Sequence, residues 1–218
     1  MEDFFDKRII KIIIIGNSGS GKTSFCNRWI KGTFSDIYKA TIMTDFSEKI
    51  YNYNNKEYKI SLWDLAGQDK NIHTTKILTK NALCCLVFCD ITNIKSRNDT
   101  LKWKKSVDDN STFLNTDKKI PCFLIENKID LVDEDTVKNI GELSEFSQKN
   151  SFSGFYRTSA KTGENVDYIM NSVIGYVINK VKECLNQGEK IEKRTSLFEL
   201  KSDGNKDKIE KNAGDDCC

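Results

Sequence analysis

Residues Ile9–Ile15 form an almost unbroken β-branched run that ends at Gly16-Asn17-Ser18-Gly19-Ser20-Gly21-Lys22-Thr23. A short apolar run before a glycine-rich turn reads as a strand buried on both faces. The turn fits the pattern G-x-x-x-x-G-K-[ST], and a helical pattern carries on to Lys31. Strand, turn and helix in that order point to an α/β arrangement. The glycines let the backbone curl so that several N–H groups face a phosphate. The helix N-terminus behind them adds a field that favours anions. Candidate contacts are Ser18, Gly19, Ser20, Gly21, Lys22, Thr23 and Ser24. Lys22 can reach β- and γ-phosphates, and the Thr23 hydroxyl can ligate Mg²⁺. The same reading accounts for the apolar N-terminal run without a secretory signal. Lys11 interrupts that run and no small-residue cleavage site follows.

Elsewhere apolar runs alternate with helical patterns. Phe46–Tyr53 and Tyr58–Trp63 alternate in polarity around Asn54-Asn55, which predicts a hairpin. Ala82–Cys89 and Ile120–Ile125 are continuous apolar runs, as in parallel strands covered on both faces. A last short strand is expected near Phe155-Tyr156. Helices are predicted over Arg97–Asn110, Asp135–Lys149 and Glu164–Leu185, the last with Val166, Ile169, Met170, Val173, Val177, Ile178 and Val181 on one face. The order β-α-β-β-β-α-β-α-β-α predicts a mostly parallel six-stranded sheet with one antiparallel hairpin strand and helices on both faces. Residues 1–185 are expected to form one domain. Residues 186–218 carry 7 basic and 8 acidic side chains and little apolar surface, the composition of a flexible tail.

Composition narrows the function. Lys+Arg 34 minus Asp+Glu 32 leaves +2, so no basic field argues for nucleic acid. A single histidine, His73, excludes a multi-His metal site and speaks against a His-dependent triad. The eight cysteines form no C-x-x-C pair. Cys84, Cys85 and Cys89 share one apolar run and read as small core residues of a reducing compartment. No apolar run reaches the roughly 18 residues of a membrane span.

Three further motifs follow strand ends. Asn127-Lys128-Ile129-Asp130 places a carboxylate where it can accept two hydrogen bonds from guanine N1–H and its 2-amino group. Adenine has no such donor pair, so a buried Asp130 would reject it. Asn127 can bridge to the glycine loop, and the Lys128 stem can lie on the base plane. Trp63-Asp64-Leu65-Ala66-Gly67-Gln68 offers Asp64 to Mg²⁺ through water, the Gly67 N–H to a γ-phosphate, and Gln68 to orient an attacking water. Ser159-Ala160-Lys161 offers a backbone N–H to guanine O6.

With these motifs in this order, the chain resembles the Ras-like small GTPases and, within them, the Rab family. The resemblance covers residues 8–185 and the last two cysteines. It implies a P-loop small-GTPase domain that binds GTP or GDP with Mg²⁺ and hydrolyses GTP slowly. It puts Thr41 on Mg²⁺ and the γ-phosphate, Phe34 edge-on against guanine, and Tyr38 over the phosphates. Ile42-Met43-Thr44-Asp45-Phe46 resembles the Rab segment IGVDF with Met43 for its glycine, and Phe88-Cys89-Asp90-Ile91-Thr92 resembles VYDIT. Asp69-Lys70-Asn71 and Leu78-Thr79 depart from the usual switch II residues. The implied effector triad is Phe46, Trp63 and Leu78. Leu101-Lys102-Trp103-Lys104 and Ala40-Thr41-Ile42 look like the Rab subgroup of lysosome-related organelles. The terminal Cys217-Cys218 resembles the Rab double-prenylation site. The tail charge of 7 − 8 = −1 provides no polybasic patch, so two lipids would supply the two signals stable anchoring needs. The family implies effectors, an exchange factor, a GTPase-activating protein, a prenylation escort and a GDP-dissociation inhibitor. It also implies a monomer cycling between cytosol and the cytoplasmic face of an intracellular membrane, with a role in vesicle trafficking. Two rivals remain. A P-loop kinase or ATPase is opposed by Asp130. A GTP-bound scaffold with little hydrolysis is favoured by the divergent switch II and opposed by Gln68.

Overall fold

The computed structural model describes residues 8–37, 40–41, 44–67, 78–139 and 141–186. β1 (Ile9–Gly16) is buried from Ile10 onward and lies inside a six-stranded sheet. A run of bulky β-branched residues suits a strand covered on both faces, because each pleat then meets a packed layer. β1 is flanked by β3 (Lys56–Asp64) on one side and β4 (Cys84–Asp90) on the other, both parallel to it, with Ile13 level with Trp63 and with Cys85. β2 (Asp45–Tyr53) joins β3 as the antiparallel member of the expected hairpin around Asn54-Asn55, both of which take positive φ. β5 (Cys122–Asn127) and β6 (Gly154–Thr158) extend the sheet in parallel, giving the order β2-β3-β1-β4-β5-β6. All five parallel strands therefore end at one edge, and the order in which strands are added switches sides at β1. Ligands of open α/β sheets bind at such an edge.

The α-helices among the described residues are α1 (Lys22–Lys31), α2 (Ile94–Asn110), α3 (Glu134–Lys138), α4 (Gly141–Lys149) and α5 (Val166–Asn186). α2 starts three residues earlier than the apolar pattern predicts, because the Asn93 side chain caps it by accepting from Ser96 N at 3.2 Å. The single helix expected over Asp135–Lys149 is two. Asn139 leaves helical geometry at ψ 84, and the carbonyls of Thr136, Val137 and Asn139 all accept from Arg157 Nη1. The buried face of α5 includes every predicted residue and adds Ile174, Gly175 and Cys184. A Cβ at Gly175 would lie 2.4 Å from Tyr53 Oη, so the missing side chain is what lets α5 close onto β2. The six described cysteines are buried in the core. No described helix is long and apolar enough to cross a membrane.

Candidate nucleotide site

The loop after β1 is shaped by contacts that only glycine permits. Gly21 has φ +89, and a Cβ there would lie 2.1 Å from Asn127 Nδ2. A Cβ on Gly67, at the end of the β3 loop, would lie 2.2 Å from the Ser18 N. Ser18 and Gly19 are exposed, whereas Ser20 is buried and its hydroxyl donates to the Asn17 carbonyl at 2.8 Å. Lys22 is buried in the first turn of α1, and its Nζ donates to the Gly16 and Asn17 carbonyls at 2.8 and 3.0 Å. The ammonium thus spans the mouth of the loop. Burial pulls its pKa down, with the Asp64 carboxylate opposing. Ser24 is half-buried in the same turn.

Oxygen donors converge beside Lys22. Thr23 Oγ1 donates to Asp64 Oδ2 and lies 2.8 Å from Thr41 Oγ1. One hydroxyl carries one proton, so Thr41 is the donor in the second bond. Asp64 Oδ1 is buried without a hydrogen-bond partner among the described residues. Burial raises the Asp64 pKa, against the Thr23 hydrogen bond and the Lys22 charge. An orphaned buried carboxylate oxygen beside two hydroxyls is the hard-oxygen donor set that Mg²⁺ prefers. The residues fit that ion.

Asn127 ties three loops together. Its Nδ2 donates to the Ser20 carbonyl at 2.9 Å, and its Oδ1 accepts from Ala160 N at 3.1 Å. An O6 contact from the Ala160 amide would therefore be shared with Asn127 or taken from it. Lys128 takes φ 73, and its Nζ meets Asp90 Oδ2 at 2.6 Å, which steers the stem along the rim. Burial alone would raise the Asp90 pKa, but the Lys128 and Thr92 donors outweigh it and hold the carboxyl low. Asp130 is exposed at the mouth of the site, not buried as the base argument supposes. Its Oδ1 accepts from the Ser159 hydroxyl at 2.5 Å. Lys161 Nζ lies 3.5 Å from Asp36 Oδ1, and half-buried Phe34 has the Arg28 guanidinium 6.0 Å above its ring. Tyr38, Gln68, Cys217 and Cys218 lie outside the described residues. Away from the loops, Phe46 and Trp63 stack edge to face at 5.1 Å with half-buried Leu78 also on the core, and Lys11 Nζ sits 3.9 Å from the Trp63 ring.

Two supports escape motif reading. Trp103 Nε1 donates to Asn17 Oδ1 at 2.9 Å, and Asn17 Nδ2 donates to Asp99 Oδ2 at 3.0 Å, so α2 grips the glycine loop. From sequence Trp103 stands out only as part of the subgroup-like Leu101–Lys104, and nothing in its spacing signals a bond 86 residues away. Arg28 Nε donates to the Ala160 carbonyl at 3.0 Å and Nη2 to that of Lys161, bracing the loop after β6 from α1. The chain has five arginines, and three of them (Arg28, Arg97 and Arg157) stand behind the loops that follow β5 and β6. In so lysine-rich a chain that is a usable signal, since the planar fork makes several directed bonds where an ammonium is a point charge.

A parallel sheet whose central strand runs through a glycine cradle into a helix, with lysine and hydroxyl at the mouth, defines a P-loop nucleotide-binding protein. The sequence model of the Ras family matches residues 11–179. The chain is 29% identical over 218 residues to the Ras-related protein Rab-32A of Dictyostelium discoideum, covering 100% of this chain and 96% of that one. It is 30% identical over 176 residues to Rab-7L1 of Rattus norvegicus, covering 80% and 85% of the two chains. With Rab-32 of Sus scrofa it shares 34% over 162 residues, covering 74% and 71%. The chain belongs to the Ras family of small GTPases, in its Rab branch, alongside the relatives that Leu101–Lys104 led one to expect.

Proposed function

We propose that this chain is a membrane-anchored guanine-nucleotide switch of vesicle trafficking. Residues 1–185 act as the GTPase domain and 186–218 as its tail. What carries the reading is Asn127, which joins the phosphate loop to both base-facing segments while Lys22, Thr23, Thr41 and Asp64 gather at the phosphate end. One pocket is thereby organised for a base at one end and a triphosphate at the other. Bound Mg²⁺ would neutralise charge on the β- and γ-phosphates. Thr23 and Thr41 would hold the ion directly and Asp64 through water. Lys22 exchanges its two carbonyl partners for phosphate oxygens. Phe34 packs against guanine, Tyr38 covers the phosphates, and Asp130 selects the base. The Gly67 amide senses the γ-phosphate, and Gln68 orients the attacking water. Loss of that phosphate frees the segments carrying Thr41 and Gly67, and with them the effector face of Phe46, Trp63 and Leu78.

No described side chain offers an arginine to the phosphates. Intrinsic turnover is therefore slow, and a partner arginine adds about 10³–10⁵ in rate. Exchange and activating proteins set the cycle. A prenylation escort and a GDP-dissociation inhibitor handle a C-terminus lipidated at Cys217 and Cys218. The test is nucleotide titration of the purified full chain with and without Mg²⁺, followed by single-turnover hydrolysis. Mg²⁺-dependent GTP and GDP binding with exclusion of ATP, then slow phosphate release, is the expected outcome. Tight GTP binding without release would establish the scaffold reading in its place.

A further inference from the structure

β5 is buried along its whole length, yet its fifth residue is Glu126, with no exposed surface. A carboxylate is kept in such a place only when its charge and lone pairs are met. Both oxygens are met by arginine. Oε1 accepts from Arg97 Nε at 2.9 Å and lies 2.8 Å from Arg97 Nη2, while Oε2 accepts from Arg157 Nε at 2.7 Å. Arg97 comes from α2 and carries on to Glu142 Oε1 in α4 at 2.7 Å. Arg157 comes from β6 and uses Nη1 on the three carbonyls where α3 ends. Glu126 and Arg157 are direct register partners across the two strands. Each sits just before a base-facing segment: Glu126 precedes Asn127, and Arg157 precedes Thr158-Ser159.

We propose that Glu126, clamped between Arg97 and Arg157, is a positioning residue that fixes the relative placement of Asn127–Asp130 and Ser159–Lys161, and so sets selectivity for guanine. The inference rests on the reading of Asp130 as the base-selecting carboxylate. Asp130 and Ser159 hang from different strands, yet must meet at 2.5 Å. The backbone ladder sets strand spacing, but the last residues of β5 and β6 can still twist and slide. Two nitrogens of Arg97 and one of Arg157 on a single carboxylate, with the second arm of Arg157's fork on the carbonyls at the end of α3, remove that freedom from below. Arg157 also references the chain leaving the first segment to the strand carrying the second.

The experiment compares GDP with inosine diphosphate, which lacks the 2-amino group, on the full-length protein with Mg²⁺ present. The parent should prefer GDP. A parent that binds both equally overturns the Asp130 reading, and the proposal with it. Glu126→Gln should cut the GDP-to-IDP affinity ratio by about tenfold, mainly by weakening GDP, since one misplaced charged hydrogen bond is worth roughly that factor. Arg157→Lys keeps the charge and loses the fork, so its ratio should fall by a smaller amount. It also decides the matter if Glu126→Gln does not fold. A parental ratio in both variants, even with both nucleotides weakened alike, would leave the cluster a purely structural brace and overturn the proposal.

Discussion

Three substitutions probe single side chains of the site. Asp130 accepts the Ser159 hydroxyl on one oxygen, and its exposed carboxylate faces the mouth. Asp130→Asn should weaken GTP by about 10²-fold, two charge-assisted hydrogen bonds being at stake. It should favour xanthosine triphosphate, because an amide can donate to the oxygen that replaces the 2-amino group. Competition between the two triphosphates reads this directly, and unchanged GTP affinity removes Asp130 from the base site. Thr23 stands between Thr41 and Asp64. Thr23→Asn should lose Mg²⁺-dependent affinity and hurt GTP more than GDP, measurable by titration with and without EDTA. Equal loss for the two nucleotides would count against the metal role. Gln68→Leu should bind GTP as the parent does but hydrolyse it more slowly in single-turnover assays. Parental turnover would assign the water to some other residue.

At the scale of elements, the phosphate loop is held from α2 as well as by its own glycines. Trp103→Phe keeps the ring in place but strips the donor from Asn17 Oδ1. Leaving that group unmet should cost about 1–3 kcal/mol, seen as a lower melting temperature and faster GDP release. Parental values for both would make the indole a packing residue only. Which elements the sequence discloses follows from how local their causes are. β1 and α5 are legible because each carries one strong period, an apolar run or an i, i+3, i+4 stripe. The break between α3 and α4 is not, because it depends on the side chain of Arg157, about 20 residues on and in another strand. The site divides the same way. Lys22, Thr23, Asp64 and Asn127 sit in short motifs with fixed spacing. The Arg28 brace, the Trp103–Asn17 bond and the exposure of Asp130 arise from contacts between distant segments, which no local pattern records.

For the whole molecule, the proposed function makes the anchor separable from the switch. α5 is described as far as Asn186, with Cys184 and half-buried Leu185 as the last described core contacts. Replacing both Cys217 and Cys218 with Ser should release the protein to the cytosol with nucleotide affinity unchanged, scored by fractionation alongside titration. Replacing one should give weakened or misdirected attachment, since a single chain holds a membrane only marginally. Membrane-bound protein whose intact mass shows no isoprenoid would refute the anchor and turn attention to Leu197, Phe198 and Leu200. The close fit of α5 on β2 then acquires a mechanical meaning. Tyr53 lies against Gly175, and Tyr51 Oη donates to Asn171 Oδ1 at 3.3 Å. If the C-terminus is tethered as proposed, tension in the tail reaches the described fold at the last turn of α5. That load passes through these two tyrosines into β2, whose far end carries Phe46. On the proposed reading, tether and effector face would share a load path that bypasses the nucleotide site, so tension at one end would register as strain in the recognition strand at the other.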